Sequence, residues 1–162
     1  MAALDTVILA VSFRPAEFNQ DLCDREGLAF PVLSDSDRAV IKRYNVWNRE
    51  EDTARRVTFW IDREGVIRRV WQQVSPSAMG ENLRDFAKKW RKGRGVYLAH
   101  CARCHGADGN ETGYTNIKTL GGIGNRLNEE EILRATQATG LVDFSQLTSE
   151  EVEALIAYVA GL

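Results

Sequence analysis

Hydrophobic periodicity changes once along these 162 residues, near residue 92, and that change limits the fold more than any other feature. Before it, strand and helix patterns alternate. The run Thr6–Val11 predicts a strand covered on both faces. Pro15–Glu26 predicts a helix with Phe18, Leu22 and Cys23 at helical spacing, closed by Gly27. Phe30–Leu33 predicts a second strand, and Ser34–Asp37 an N-cap region for a helix bearing Val40, Ile41 and Tyr44. Arg55–Ile61 alternates strictly, Asp62–Gly65 forms a turn with positive φ at Gly65, and Val66–Val74 returns as the partner strand. A helix over Ser77–Arg91 closes the region, and Gly93 with Gly95 is expected to break it. Residues 93–162 show no strand alternation. Helices are predicted over Val96–His105, Asn128–Thr139 and Thr148–Ala160, the last two opening on capping boxes, Asn128 with Glu131 and Thr148 with Glu151. Val152, Leu155, Ile156 and Val159 form a stripe at helical spacing. The fold class is therefore an α/β region, 1–92, followed by a small all-α region, 93–162.

Charge is nearly balanced, 21 basic side chains against 23 acidic, which gives nucleic acid no basic footprint. The two regions carry opposite signs, 16 basic and 14 acidic against 5 and 9, which is compatible with their docking. No apolar run approaches the roughly 20 residues of a transmembrane segment. Three cysteines are too few to staple a scaffold. Met1–Asp5 carries no positive stretch and Thr6–Val11 is too short for a secretory core, so no export signal is visible. The chain opens with structure under way, as a fragment does, or a start codon inside a longer frame.

Two cysteines stand three apart before a histidine, as Cys101-Ala102-Arg103-Cys104-His105. On one helical turn this spacing lets both thiols reach the two vinyl groups of one porphyrin, and the next imidazole reach its iron. A zinc site needs four ligands, and the chain adds only Cys23 and His100, with no second Cys/His pair. A redox dithiol would follow a strand, whereas Tyr97–His100 precede the motif on a helix. Residues 93–162 resemble a class I cytochrome c: Tyr97 is the aromatic before the motif, Gly106 follows the histidine, and Leu155–Val159 looks like the family's C-terminal helix. The resemblance implies haem c, held by thioethers from Cys101 and Cys104, with His105 as proximal iron ligand. So small a domain buries little surface alone, and the haem is expected to act as much of its core.

The sequence departs from the family at the sixth ligand. Where a Met-Pro-x-Phe-like stretch is usual, this chain has Gly140–Leu147, with Leu141 in the methionine position. No Met or His follows His105, and the region has no proline. The expectation is a five-coordinate or water-ligated iron, or one ligated from the other region, for example by Met79. His100 is turned about 100° from Cys101 around the helix and is expected at the surface.

Cys23 reads first as a small buried hydrophobe. Around it, however, Val7–Ser12, Asp21–Asp35, Tyr44–Trp47 and Arg56–Asp62 with Gly65 resemble a peroxiredoxin of the bacterioferritin-comigratory-protein type, a thioredoxin-like fold, over residues 1 to about 90. The resemblance implies that Cys23 is a resolving cysteine and that Arg56 stabilises the peroxidatic thiolate. The family's peroxidatic cysteine and its strand belong before residue 1. Their loss leaves the Thr6 and Arg55 strands without the neighbour between them, with exposed edges that invite pairing.

Together the resemblances imply a peroxiredoxin–cytochrome c fusion, with an electron-transfer protein or a thiol reductant as partner. Three activities stay open: an electron carrier, a thiol peroxidase acting on hydrogen peroxide with a haem relay, and a haem-based sensor of a small gas ligand. Covalent haem attachment in bacterial c-type cytochromes occurs outside the cytoplasm, so the periplasmic side is expected.

Overall fold

The computed structural model describes residues 6–72, 75–110 and 117–162. The opening residues Met1–Asp5, and the expected strand end at Gln73 and Val74, lie outside these. The first region is built from β1 (Ala10–Ser12), α1 (Ala16–Glu26), β2 (Val32–Ser34), α2 (Ala39–Arg43), β3 (Trp47–Asn48), β4 (Thr53–Ala54), β5 (Val57–Ile61) and β6 (Ile67–Gln72). These strands make three separate two-stranded sheets: β1–β2 parallel, β3–β4 and β5–β6 antiparallel. As expected, Gly27 closes α1 in the left-handed region, and Gly65 turns the β5–β6 hairpin at φ 81°.

Two expectations fail here. The Thr6–Val11 segment is not a buried strand. Pairing begins only at Ala10, and Val7 and Leu9 are 79% and 61% exposed. Parallel strands are stable where both faces are covered, and this pair has α1 as its main cover among the described elements. Nor does α1 bury Phe18, which lies under the Arg14 guanidinium and is largely exposed. Asn19 takes the buried position instead, its amide donating to the Arg14 carbonyl at 3.2 Å.

The glycine pair does not break the next helix. A single helix, α3 (Pro76–His100), runs from the first region into the second. Gly93 has a different purpose, because a Cβ there would sit 2.0 Å from the Ala154 carbonyl oxygen and 2.7 Å from the Tyr158 Cβ. It lets α3 cross α6 (Ser149–Ala160) at backbone contact. Between them lie α4 (Ala102–His105) and α5 (Glu129–Thr139). Both capping boxes form with reciprocal bonds, at Asn128/Glu131 and Thr148/Glu151.

The core sits at this crossing. Val96 and Tyr97 from α3 pack against Leu155, Ile156, Tyr158 and Val159 from α6, with Ile132 from α5 beneath. Burying each large side chain stabilises the fold by about 1.5–3 kcal/mol. The hairpin β5–β6 is fastened to the same core. Arg68 and Asp62 form an ion pair at 2.6 Å with side chains only 7% and 9% exposed. The Arg68 guanidinium also donates to the carbonyls of Gly161 and Leu162, at 3.1 and 2.8 Å, satisfying groups that the C-terminal end of α6 leaves open.

Candidate haem site on the turn 101–105

Helix α3 ends at His100 because Cys101 leaves the helical path, with φ −114° and ψ −35°. The chain re-enters a single turn, α4, in which His105 N–H bonds the Cys101 carbonyl at 3.1 Å. Gly106, at φ 74°, then carries it sharply away. Its carbonyl accepts from the Tyr97 hydroxyl at 2.8 Å, which ties the end of the turn back to α3. Cys101, Cys104 and His105 thereby share one helical turn at i, i+3 and i+4. All three are half-buried, and both thiols are free. Cys101 packs on the core, and burial, reinforced by the neighbouring Cys104, pushes its thiol up to about 11.

The histidine is oriented. Its Nδ1 lies 3.2 Å from the Lys118 carbonyl oxygen. A carbonyl only accepts, so this bond places the proton on Nδ1 and leaves the Nε2 lone pair free for a metal. Lys118 is positioned by the fold-back of 106–110 on 117–121. There Leu120 N–H bonds the Gly109 carbonyl at 2.8 Å, and Asp108 accepts from Asn110 N–H at 2.9 Å. That bond and the Asn110 side chain hold the Asp108 carboxyl below its usual range. Partly buried Leu120, Ile123, Leu127 and Leu147 pack against the same core as Cys101. Two thiols and an imidazole with a free nitrogen on one turn suit a porphyrin. Among the described residues, no group of three or more His, Cys, Asp or Glu side chains is placed to hold a bare metal ion.

Sequence reasoning missed the Lys118 carbonyl and the Tyr97–Gly106 bond. The glycine after His105 was the available signal for the second; a backbone carbonyl gives none. Leu141 follows Gly140 (φ 64°) at the end of α5 and is 65% exposed. Met79 cannot supply the sixth ligand as entertained above. It sits near the opposite end of α3 from His100, about 30 Å along the axis. His100 is half-buried and within electrostatic reach of Glu151, where a surface position was expected.

The sites of the first region are not brought together. Cys23, on α1, is half-buried and lines a groove of about 610 Å³ with Gln20, Leu28, Phe30 and Pro31. Arg56 precedes β5, in a different sheet, and is exposed without a side-chain hydrogen bond or ion pair to the described residues.

Comparison with known proteins finds different families over two stretches of the chain. Residues 1–70 match the AhpC/TSA family, and residues 88–159 match the family of cytochrome C oxidase, cbb3-type, subunit III. Alkyl hydroperoxide reductase E of Mycobacterium tuberculosis is 38% identical over 66 residues, 40% of this chain and 43% of its own length. Peroxiredoxin Bcp of Xanthomonas campestris is 33% identical over 73 residues, covering 41% and 46% of the two chains. A putative peroxiredoxin bcp of Coxiella burnetii is 34% identical over 74 residues, covering 42% and 49%. The chain thus spans less than half the length of these curated relatives. No solved structure matches it. A cytochrome c domain implies a haem cofactor and electron-transfer partners, and no helix among the described residues is long and apolar enough to cross a membrane. The partial thioredoxin-like region of strands and short helices thus matches the peroxiredoxin (AhpC/TSA) family, and the helical second region matches a cytochrome c domain, which together support a fusion of the two.

Proposed function

We propose that this chain carries electrons one at a time through a haem c fastened to the turn 101–105. Cys101 and Cys104 hold it as thioethers, and His105 Nε2 binds the iron. Bound there, the haem supplies a one-electron ferric–ferrous couple. The chain's own residues anchor and orient it: Lys118 fixes the imidazole tautomer, and Tyr97 secures the turn through Gly106. The observation that carries this reading is the His105–Lys118 bond beside two free thiols on one turn. Covalent attachment favours a periplasmic protein, with a redox protein or a thiol reductant as partner.

A pyridine haemochrome spectrum of denatured protein from a maturation-competent host tests it. Haem that stays with the polypeptide through acid–butanone extraction is expected. Colourless protein, or pigment lost to the solvent, overturns the reading. With Leu141 in the methionine position, the ferrous protein binds carbon monoxide, and Leu141→Met suppresses that binding and raises the reduction potential. This open side also suits a sensor of small gases.

A second reading rests on the groove beside Cys23. A half-buried thiol lining an open groove is reachable by another thiol, as a resolving cysteine must be. In a complete AhpC/TSA domain Cys23 then closes a disulfide with a peroxidatic cysteine that this chain lacks, and Arg56 lowers that cysteine's pKa. Peroxide turnover by a longer reading frame, lost on Cys23→Ser, supports this; turnover unchanged by that substitution removes it.

A further inference from the structure

Six aromatic rings run without interruption from the β5–β6 hairpin to the turn 101–105. Trp60 and Trp71, on neighbouring strands, each meet Phe86 of α3 edge-on with centroids 5.2 Å apart. Phe86 stacks on Trp90 at 5.7 Å and 25°. Trp90 meets Tyr158 of α6 at 4.6 Å, and Tyr158 meets Tyr97 at 5.3 Å. Tyr97 ends the series at the motif itself, since its carbonyl accepts from Cys101 N–H and its hydroxyl donates to Gly106. The fourth tryptophan, Trp47, stands apart against Phe13 and Arg38.

Packing alone accounts for a hydrophobic junction; it does not require indoles on both sides of Phe86. An indole loses an electron far more readily than a phenyl ring. The Tyr97 hydroxyl donates to the Gly106 carbonyl, which does not take its proton, and the Tyr158 hydroxyl meets the Arg94 guanidinium, which is no base either. Tryptophans therefore act as stations here, with Phe86, Tyr158 and Tyr97 as the close-packed bridges between them. We propose that this ladder conducts oxidising equivalents between the peroxiredoxin segment and the haem site, with Trp90 as its central station. A one-electron oxidant of the peroxide-derived radical class removes an electron and the N–H proton from Trp60 or Trp71. With haem held at 101–105, the ferrous couple would return an electron through Trp90 to the indolyl radical, which takes its proton from water, so that the indole would be restored as the couple becomes ferric. The direction protects the strand-rich segment, because the oxidising equivalent leaves it for a centre that a reductant can refill.

The inference rests on haem at 101–105, so haemochrome analysis of each sample comes first. Azide radicals from pulse radiolysis, which oxidise indoles, are then applied to the full-length ferrous protein. Decay of the indolyl absorption and growth of the ferric spectrum are followed together. In the wild type both follow one first-order rate, independent of protein concentration. Trp90→Phe, which keeps an aromatic ring but removes the station, slows that rate by more than an order of magnitude. Trp90→Tyr recovers part of it, and Trp47→Phe leaves it unchanged. If Trp90→Phe loses its helical circular dichroism, the double variant Trp60→Phe/Trp71→Phe takes its place and abolishes the slower-onset, intramolecular part of the ferric signal. Haem-containing protein whose rate is unmoved by these variants, or scales with its concentration, overturns the conduit and leaves the haem assignment standing. Absence of haem overturns both.

Discussion

The two regions bury their apolar residues to different degrees. From Ala87 onward ten hydrophobic side chains among the described residues are buried. Before it, among the described residues, only Ile41 is, while Val7, Leu9, Val11, Leu33, Ile61 and Val70 face solvent. Composition does not explain this, since Val7–Val11 is apolar throughout. Cover does. Helices α3 and α6 cross closely enough at Gly93 for each to bury the other's stripe, whereas the first region's strands stand in pairs. An apolar pattern states what an element needs, and a second layer decides whether it gets it. The β5–β6 hairpin is the intermediate case, because Arg68 and the aromatic ladder lend it the second region's core.

The largest expected effect is in amide exchange. A two-stranded sheet opens at almost no cost, while the α3–α6 crossing opens only with the whole core. Amides of β1 and β2 should exchange at least about a thousandfold faster than those at the centre of α3 and α6. Equal protection would break the comparison outright.

Next comes the fastening of the hairpin. Arg68→Ala leaves the Asp62 carboxylate buried without its partner and the Gly161 and Leu162 carbonyls, just past α6, without their donor. Removing one member of a buried pair costs about 3–5 kcal/mol. Urea unfolding measures the loss, and exchange should move β5 and β6 into the fast class with β1. A cost below about 1 kcal/mol would mean that the aromatic contacts alone hold the hairpin.

Gly93→Ala follows, at about 1–3 kcal/mol or more, because the new Cβ collides with α6 backbone that cannot give way without parting the helices. Thr148→Ala is smaller, about 1 kcal/mol, for loss of a helix cap. The same box sets a pH dependence. Hydrogen bonds from the Thr148 N–H and hydroxyl hold the Glu151 carboxyl below its usual range. A carboxyl lowered in the folded state adds stability that is complete above the unfolded value of about 4.3 and vanishes as pH falls through the folded one. Acid titration followed by circular dichroism should therefore be flatter in Glu151→Gln than in the wild type, and parallel curves would contradict the bond.

What the sequence revealed divides along the same line. The capping boxes at Asn128 and Thr148, the left-handed glycines at 27 and 65, and the Cys101–Cys104–His105 turn are local, and each is decided by residues within one helical turn. Features that depend on distant partners were hidden. The cover missing from Val7 and Leu9 is one, and the carbonyl that orients His105 is another. Gly93 was misread for the same reason, since the atoms that require a missing Cβ belong to Ala154 and Tyr158 on another helix.

Gly95 shows how narrow that misreading was. It lies two residues from Gly93 in the interior of the same helix, yet a Cβ there would meet nothing within 4 Å. Only backbone entropy and helix propensity act at such a position, and both favour alanine. Gly95→Ala should stabilise the protein by about 0.5–1 kcal/mol. Paired with Gly93→Ala, it sets one chemical change on one helix against opposite outcomes, which separates close approach from chain flexibility. If both substitutions destabilise, the pair serves as a joint after all, and α3 bends there between a region that is packed and one that is not. If they differ in sign, the helix is one rigid member, and the difference between the two regions lies in what covers them.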